Sequence, residues 1–385
     1  MQIRLLIIFL SLQMVLPSCR KNDSASSTIQ GDDCNTVTGL NHGNIIPDQF
    51  IVAYRENQSG SLTLARSQGD AMQILKKYRL TETSLVQFIS GRNPGMVVKA
   101  NSEQLQLLRA DPTIESVESD RIVSLSTCFT IVSPRLITWN IQRVGYGDGR
   151  GKTAWIIDSG VDLDHPDLNV DLARSRSFLS GQSSPEDMNG HGTHVAGIIA
   201  AKNNNIGILG IASEANIIAL KVLDNDGEGT LSAIQAALGY IEQNAVPGDV
   251  VNISLGLEGI SDFLDQRVIR MANRGILFSI AAGNESKSAI NYSPARANGP
   301  NIFTVSAVDS LNRFASFSNF GNDVIDYAAP GVRILSSFTD GRYAIMSGTS
   351  MAAPHVAGLL LLNGNKLNSA QTAKNDPDGV ADPIV

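Results

Sequence analysis

The 385-residue chain has no long run of Lys or Arg, and its formal net charge of −7 is modest. Without a basic stripe it carries no electrostatic footprint for nucleic acid or for an anionic membrane surface. Charge is also sparse, 17% against 43% apolar, so the chain can bury a large core with room for more than one domain. The apolar run near the start, Leu5 to Leu16, is short for a membrane span and is interrupted by Ser11 and Gln13. A retained transmembrane helix is therefore disfavoured. Cysteine is scarce too, with three in the chain, and no internal repeat is present.

What is there begins with Arg4, the apolar run and Pro17-Ser18-Cys19, which read together as an export signal over residues 1–18. Leu16-Pro17-Ser18-Cys19 resembles a bacterial lipobox, so a lipid anchor at Cys19 in the cell envelope is expected. Ordinary cleavage and secretion is the alternative. With Cys19 lipidated, Cys34 and Cys128 are left, either as a disulfide or as two free thiols. Residues 19–45, rich in Ser, Asn, Asp and Gly, read as a flexible tether.

From Phe50 the pattern changes. Alternating or branched runs at Phe50 to Tyr54, Leu85 to Ile89, Met96 to Lys99 and Ile114 to Val117 are interleaved with helix-like stretches at Ser67 to Tyr78 and Ser102 to Arg109. Ser102 is the expected N-cap of the second, and Asp111-Pro112 its stop. The order β-α-β-β-α-β predicts a small α+β, ferredoxin-like domain over 46–126. A second domain, 135–385, opens with a Gly-rich loop at Gly145 to Gly151. It then alternates apolar strands (Thr153 to Asp158, Ile217 to Leu223, Val250 to Ser254, Ile276 to Ala281) with helices at Leu231 to Gln243 and Asp262 to Asn273. That alternation predicts an α/β fold with a mainly parallel sheet covered on both faces.

Three segments carry chemistry-capable residues in small, Gly-rich surroundings. Ile156-Ile157-Asp158-Ser159-Gly160 puts a carboxylate at the end of an apolar strand, where parallel-sheet active sites lie. Asn189-Gly190-His191-Gly192-Thr193-His194 puts a His at the mouth of a helix. Ser347-Gly348-Thr349-Ser350-Met351-Ala352 puts a Ser at the start of another. A serine hydroxyl is a weak nucleophile until an imidazole takes its proton, so His191 would be the base for Ser350. Asp158 would hold the imidazole tautomer and stabilise the imidazolium. Singly, the Asp could be a turn residue and the His a helix cap; together the bland reading recedes. His194 and His355 read as helix packing positions, and Asp162 and Asp164 as loop-shaping residues.

These motifs resemble the subtilisin family of serine proteases, over about Trp139 to Gly358. The resemblance implies a three-layer subtilisin-like domain and peptide-bond hydrolysis of polypeptide substrates. Ser279-Ile280-Ala281-Ala282-Gly283-Asn284 is similar to the family's oxyanion strand, which makes Asn284 a side-chain donor to the tetrahedral intermediate. Substrate would pair with Asp226-Gly227-Glu228-Gly229-Thr230 and with Ser254-Leu255-Gly256, ordinary turns being the alternative. Ala281, Ala282 and Gly283 would give the S1 site small, apolar walls that suit a medium or large apolar side chain before the scissile bond. Lys202-Asn203-Asn204-Asn205-Ile206-Gly207-Ile208 resembles a calcium loop, with Ca²⁺ held by Asp167, the Asn204 amide and the carbonyls of Lys202, Ile206 and Ile208. A solvated Asn-rich turn is the alternative there.

The first domain resembles the family's propeptide, an intramolecular inhibitor, and implies autocleavage between about Ser124 and Arg135. A permanent accessory domain is the other reading. Two rival functions stand beside hydrolysis: a catalytically silent surface-binding protein, and a serine esterase, disfavoured because no Gly-x-Ser-x-Gly elbow surrounds Ser350. One departure is the polar stretch after Gly364, where the family usually adds further strand and helix.

Overall fold

The computed structural model describes residues 42–55, 72–78, 80–91, 94–124, 128–131 and 137–385. The export signal, Cys19, Cys34 and most of the tether lie outside them. Strands β1 (Ile45–Tyr54), β2 (Leu85–Ile89), β3 (Gly95–Lys99) and β4 (Ile114–Ser124) form a sheet ordered β4-β1-β3-β2. A helical segment at 72–77 follows β1, and helix α1 (Ser102–Arg109) joins β3 to β4. Side chains alternate along these strands. Val52, Met96 and Val98 therefore meet Ile74, Leu75 and Leu108 in the module's own core, while Ile51, Ala53 and Val97 point the other way into the core of the larger body.

Helix α1 spans the residues expected of it, but its cap lies one residue before Ser102. Its cap is Asn101, whose Oδ1 accepts from the Gln104 N–H while the Gln104 side chain accepts from the Asn101 N–H. This reciprocal capping box needs Gln104 three residues after the cap, a spacing that Ser102 does not offer.

The larger body begins after β5 (Cys128–Ile131) and helix α2 (Trp139–Val144). Its strands are β6 (Thr153–Asp158), β7 (Arg176–Ser177), β8 (Asn216–Lys221), β9 (Glu228–Thr230), β10 (Val250–Ile253), β11 (Leu277–Ala281), β12 (Ile302–Val308) and β13 (Tyr327–Pro330). The order β7-β8-β6-β10-β11-β12-β13 is parallel throughout. A hairpin of β14 (Ile334–Phe338) and β15 (Arg342–Ser347) stands beside it. The polar stretch after Gly364 is also placed: β16 (Gln371–Thr372) and β17 (Pro383–Ile384) add to the edge at β13.

Helices α4 (Leu231–Asn244) and α5 (Asp262–Ala272) cover one face of the sheet, and α3 (His191–Ala200) and α6 (Thr349–Asn363) the other. Strand β6 shows why: Trp155 and Ile157 enter the first layer, Ala154 and Ile156 the second, all fully buried. Each large aliphatic chain so buried contributes about 1.5–3 kcal/mol. The result is the three-layer α/β body expected from the alternation of strands and helices.

Two pairings tie the module to this body. The last residues of β4 run antiparallel to β9, with Ser124 opposite Glu228 and Val123 opposite Gly229. Then β5 runs antiparallel to β15, with Cys128 opposite Ser347.

Candidate active site

Asp158 ends β6 and His191 begins α3, so a strand terminus faces a helix mouth. His191 Nδ1 lies 2.8 Å from Asp158 Oδ1 and 3.0 Å from Oδ2, and both residues are fully buried. The Ser159 N–H holds Asp158 Oδ1 at 2.7 Å. The glycines around this pair serve contact between the two elements. A Cβ on Gly192 would lie 2.0 Å from the Gly160 carbonyl oxygen, and Gly190 caps the helix at φ +105, a left-handed conformation.

Asp187, which sequence reasoning passed over, braces the same junction. Its carboxylate accepts from the N–H groups of Asn189, Gly190 and Thr193 at 3.0, 2.9 and 2.9 Å, and from the hydroxyls of Ser159 (2.9 Å) and Thr193 (2.6 Å). Burial pushes this carboxyl above its usual range, against five donors that favour the ionised form. The only sequence signal was its place four residues before His191.

Ser350 lies in the first turn of α6. Pro354 is four residues further on and has no N–H to donate to the Ser350 carbonyl. That carbonyl accepts from Ser254 Oγ instead, at 2.9 Å, and Ser350 Oγ donates to the Ser254 carbonyl, also at 2.9 Å. His191 Nε2, buried, makes no hydrogen bond among the described residues. Asn284 Oδ1 accepts from the Thr349 N–H (2.8 Å) and hydroxyl (3.0 Å), which fixes its amide beside Ser350.

Two further histidines, His194 and His355, are framework. His194 Nε2 faces the carbonyls of Ile334 and Ala344, and His355 lies between the Met351 carbonyl and Asn140. Burial holds both neutral, pushed down to about 3 and about 4. Asp162 accepts from the Gly341 N–H and shapes its loop.

A cleft gathers Ser254, Leu255, Gly256, Ala281, Ala282, Gly283, Asn284 and Ser350. Gly227 and Gly229 stand outside it, at and beside strand β9. Glu285, Tyr292 and Ala295 also line the cleft, so its wall is not purely apolar. Glu285 accepts from the Asn284 N–H and from the Asn319 amide, and burial pushes its carboxyl up. Ser124, at the end of β4, lines the same cleft, as does His42 from the segment read as a tether. His42 Nδ1 takes the Ser124 N–H at 3.0 Å, and Nε2 faces the Glu258 N–H at 3.3 Å. Nothing in the sequence around His42 signalled that position.

Asp167 is fully buried. Its Oδ2 accepts from the Ile208 N–H (3.0 Å) and the Tyr343 hydroxyl (3.3 Å), while Oδ1 has no hydrogen-bond partner among the described residues. Burial pushes the carboxyl up to about 6. The loop wraps it, with the Lys202 N–H on the Asp167 carbonyl at 2.8 Å and the Asn204 side-chain oxygen accepting from the Ile206 N–H at 3.1 Å. Among the described residues no cluster of three or more His, Cys, Asp or Glu could hold a metal. A buried carboxylate oxygen with no partner among the described residues nonetheless fits a hard cation.

Comparison with known proteins points the same way. A profile described as the Subtilase family matches residues 149–375. A thermostable alkaline protease of Halalkalibacterium halodurans is 38% identical over 276 residues, spanning 70% of this chain and 72% of the relative. An extracellular serine proteinase of Thermus sp. is 33% identical over 374 residues, spanning 91% and 87%. A solved structure of a cold adapted subtilisin-like serine proteinase matches with a TM-score of 0.57 and 34% identity, over 65% of this chain and 98% of that one. With more than half of its length matched by the profile and relatives at 33–38% identity over more than two thirds of it, the chain belongs to the subtilase family of serine proteases.

Proposed function

We propose that Ser350, His191 and Asp158 are nucleophile, general base and orienting carboxylate of an endopeptidase that first cuts its own chain. The observation that carries this is the buried His191 ring, tied to Asp158 through Nδ1 while Nε2 has no partner among the described residues. Turning the Ser350 hydroxyl from the Ser254 carbonyl to Nε2 readies it for attack. Oγ then bonds to the scissile carbonyl carbon as its proton passes to Nε2. The oxyanion is met by the Asn284 amide and by backbone N–H groups at the start of α6. His191 returns the proton to the departing amine, and water repeats the cycle on the acyl-enzyme to free Ser350.

Polypeptide substrate pairs with β9 and with Ser254 to Gly256, as β4 pairs with β9 in this structure. An apolar side chain before the scissile bond suits Ala281, Ala282 and Gly283, with Glu285 and Tyr292 limiting its size. The N-terminal module is the inhibitor and first substrate, since Ser124 lines the cleft and Cys128, the next described residue, pairs with Ser347 close to Ser350.

Calcium would be held by Asp167, Asn204 and the carbonyls of Lys202, Ile206 and Ile208. It supplies charge that offsets the buried carboxylate and stiffens the loop. The N-terminal signal and the extracellular relative support export, with Cys19 as the lipid anchor; among the described residues no helix is long and apolar enough to cross a membrane.

A fluorophosphonate that labels wild type but not Ser350→Ala, together with casein digestion, tests the reading. A wild type that takes no label would favour the silent surface-binding alternative, for which the relatives offer no support.

A further inference from the structure

Arg267 on α5 is a fully buried cation. Its Nη2 donates to Glu242 Oε2 on α4 at 2.9 Å and to the backbone carbonyl of Ser90, in the N-terminal module, at 2.6 Å. None of these residues lines the cleft that holds Ser350. The contact depends on two missing Cβ atoms. One on Gly91, whose φ is +116, would sit 2.4 Å from both Arg267 Nη2 and Glu242 Oε2, and one on Gly239 would sit 2.1 Å from the Ser90 oxygen.

Gly239 lies inside the 14-residue helix α4, a position where glycine is the least favoured residue apart from proline. Its φ is not left-handed, so the helix backbone does not require glycine there. Close approach of the Ser90 carbonyl supplies the reason. On the body's side the guanidinium is already paired with Glu242, so the charge is not left isolated in the interior, and it still has an N–H for one carbonyl acceptor.

We infer that Arg267, Glu242 and Gly239 form a recognition socket for the module, selecting a partner that presents a backbone carbonyl followed by a glycine of positive φ. The socket grips the module away from the cleft, so the module's tail stays registered on β9 whatever side chains the tail carries. This rests on the reading of the module as inhibitor only for its consequence, the retention of the module after the chain is cut. Recognition itself is independent of catalysis.

The test uses the full chain carrying Ser350→Ala, so that no cutting intervenes, and follows amide hydrogen exchange of the β4–β9 ladder by mass spectrometry. Gly91→Ala and Gly239→Ala are each expected to speed that exchange about tenfold or more, the scale of a backbone clash at a packed contact. Ser90→Ala keeps the carbonyl and is expected to leave it unchanged. If Gly91→Ala unfolds the module, Gly239→Ala decides, because alanine there favours the helix it sits in. Glycine variants that exchange like their parent overturn the socket, as does a Ser90→Ala variant that exchanges as fast as they do. Labelling of wild type at Ser350 is scored separately, so a failure of the protease reading is distinguishable from a failure of the socket.

Discussion

Asp120, on the last strand of the N-terminal module, accepts from both the N–H (3.1 Å) and the hydroxyl (2.6 Å) of Ser232, the second residue of helix α4. The first N–H groups of a helix have no partner within it; Thr230 of the body caps that of Ala233, and the module's Asp120 takes that of Ser232. Two residues earlier on the same strand, Glu118 accepts from the hydroxyl of Ser261, the N-cap of α5, at 2.7 Å. Positions i and i+2 share a strand face, so one face of β4 puts a carboxylate at the start of each helix.

Glu118 makes this docking depend on pH. Burial, with Asp265, Asp262 and Asp120 around it, pushes its carboxyl from an ordinary 4.5 up to about 7, and only the Ser261 hydroxyl opposes this. Of the nearby cations, Arg270 pairs with Glu115, and Arg296 with Asp262 and Asp265. A raised acid pKa means that the docked state prefers the protonated form. The Glu118 contribution is therefore complete below about 4.5 and is lost as pH rises through about 7. Retention of the module, followed by size exclusion across that range, should fall with pH in wild type and flatten in Glu118→Gln. Identical profiles would remove Glu118 from the effect.

Asn284→Ala should lower kcat by about 10²–10³, a range known from a member of this same family, with KM and melting temperature nearly unchanged. A variant with full turnover would mean that the Asn284 amide does not meet the oxyanion.

Gly192→Ala should separate α3 from β6, since its Cβ would lie 2.0 Å from the Gly160 oxygen and 3.2 Å from Asp158 Oδ1. Overpacking of this kind costs about 1–3 kcal/mol. Loss of fluorophosphonate labelling together with a lower melting temperature is the expected pair of readouts. Normal labelling would show that the junction relaxes without disturbing His191.

On the proposed self-processing between Ser124 and Arg135, Ser350→Ala should accumulate as an uncut chain, seen by intact mass. Cutting at the wild-type rate in a protease-deficient host would rule out self-processing.

Chelation should lower the melting temperature of wild type, and Asp167→Asn should remove most of that sensitivity by taking away the buried carboxylate with the orphaned Oδ1. A melting temperature indifferent to chelator in both proteins would leave the loop as an Asn-rich turn.

The positions of Asp158, His191 and Ser350 on a strand end and two helix starts were legible because each sits inside a local pattern: an apolar run, then glycine, then a small-residue helix. The order of elements in the module was legible for the same reason, alternation of period two giving way to helical spacing. The N-cap of α1 was misplaced by one residue because Asn101 and Ser102 are both good caps, and only the spacing to Gln104 separates them.

Local pattern thus determined which elements form and which of them carry chemistry, because propensity and periodicity depend on near neighbours. Tertiary structure alone decided that Ser350 rests on Ser254, that Glu285 and Tyr292 enter the cleft wall, that His42 returns to Ser124, and that Ser90 lies on Arg267. Those contacts join residues far apart in the chain, and close packing and burial, which set them, leave no period in the sequence.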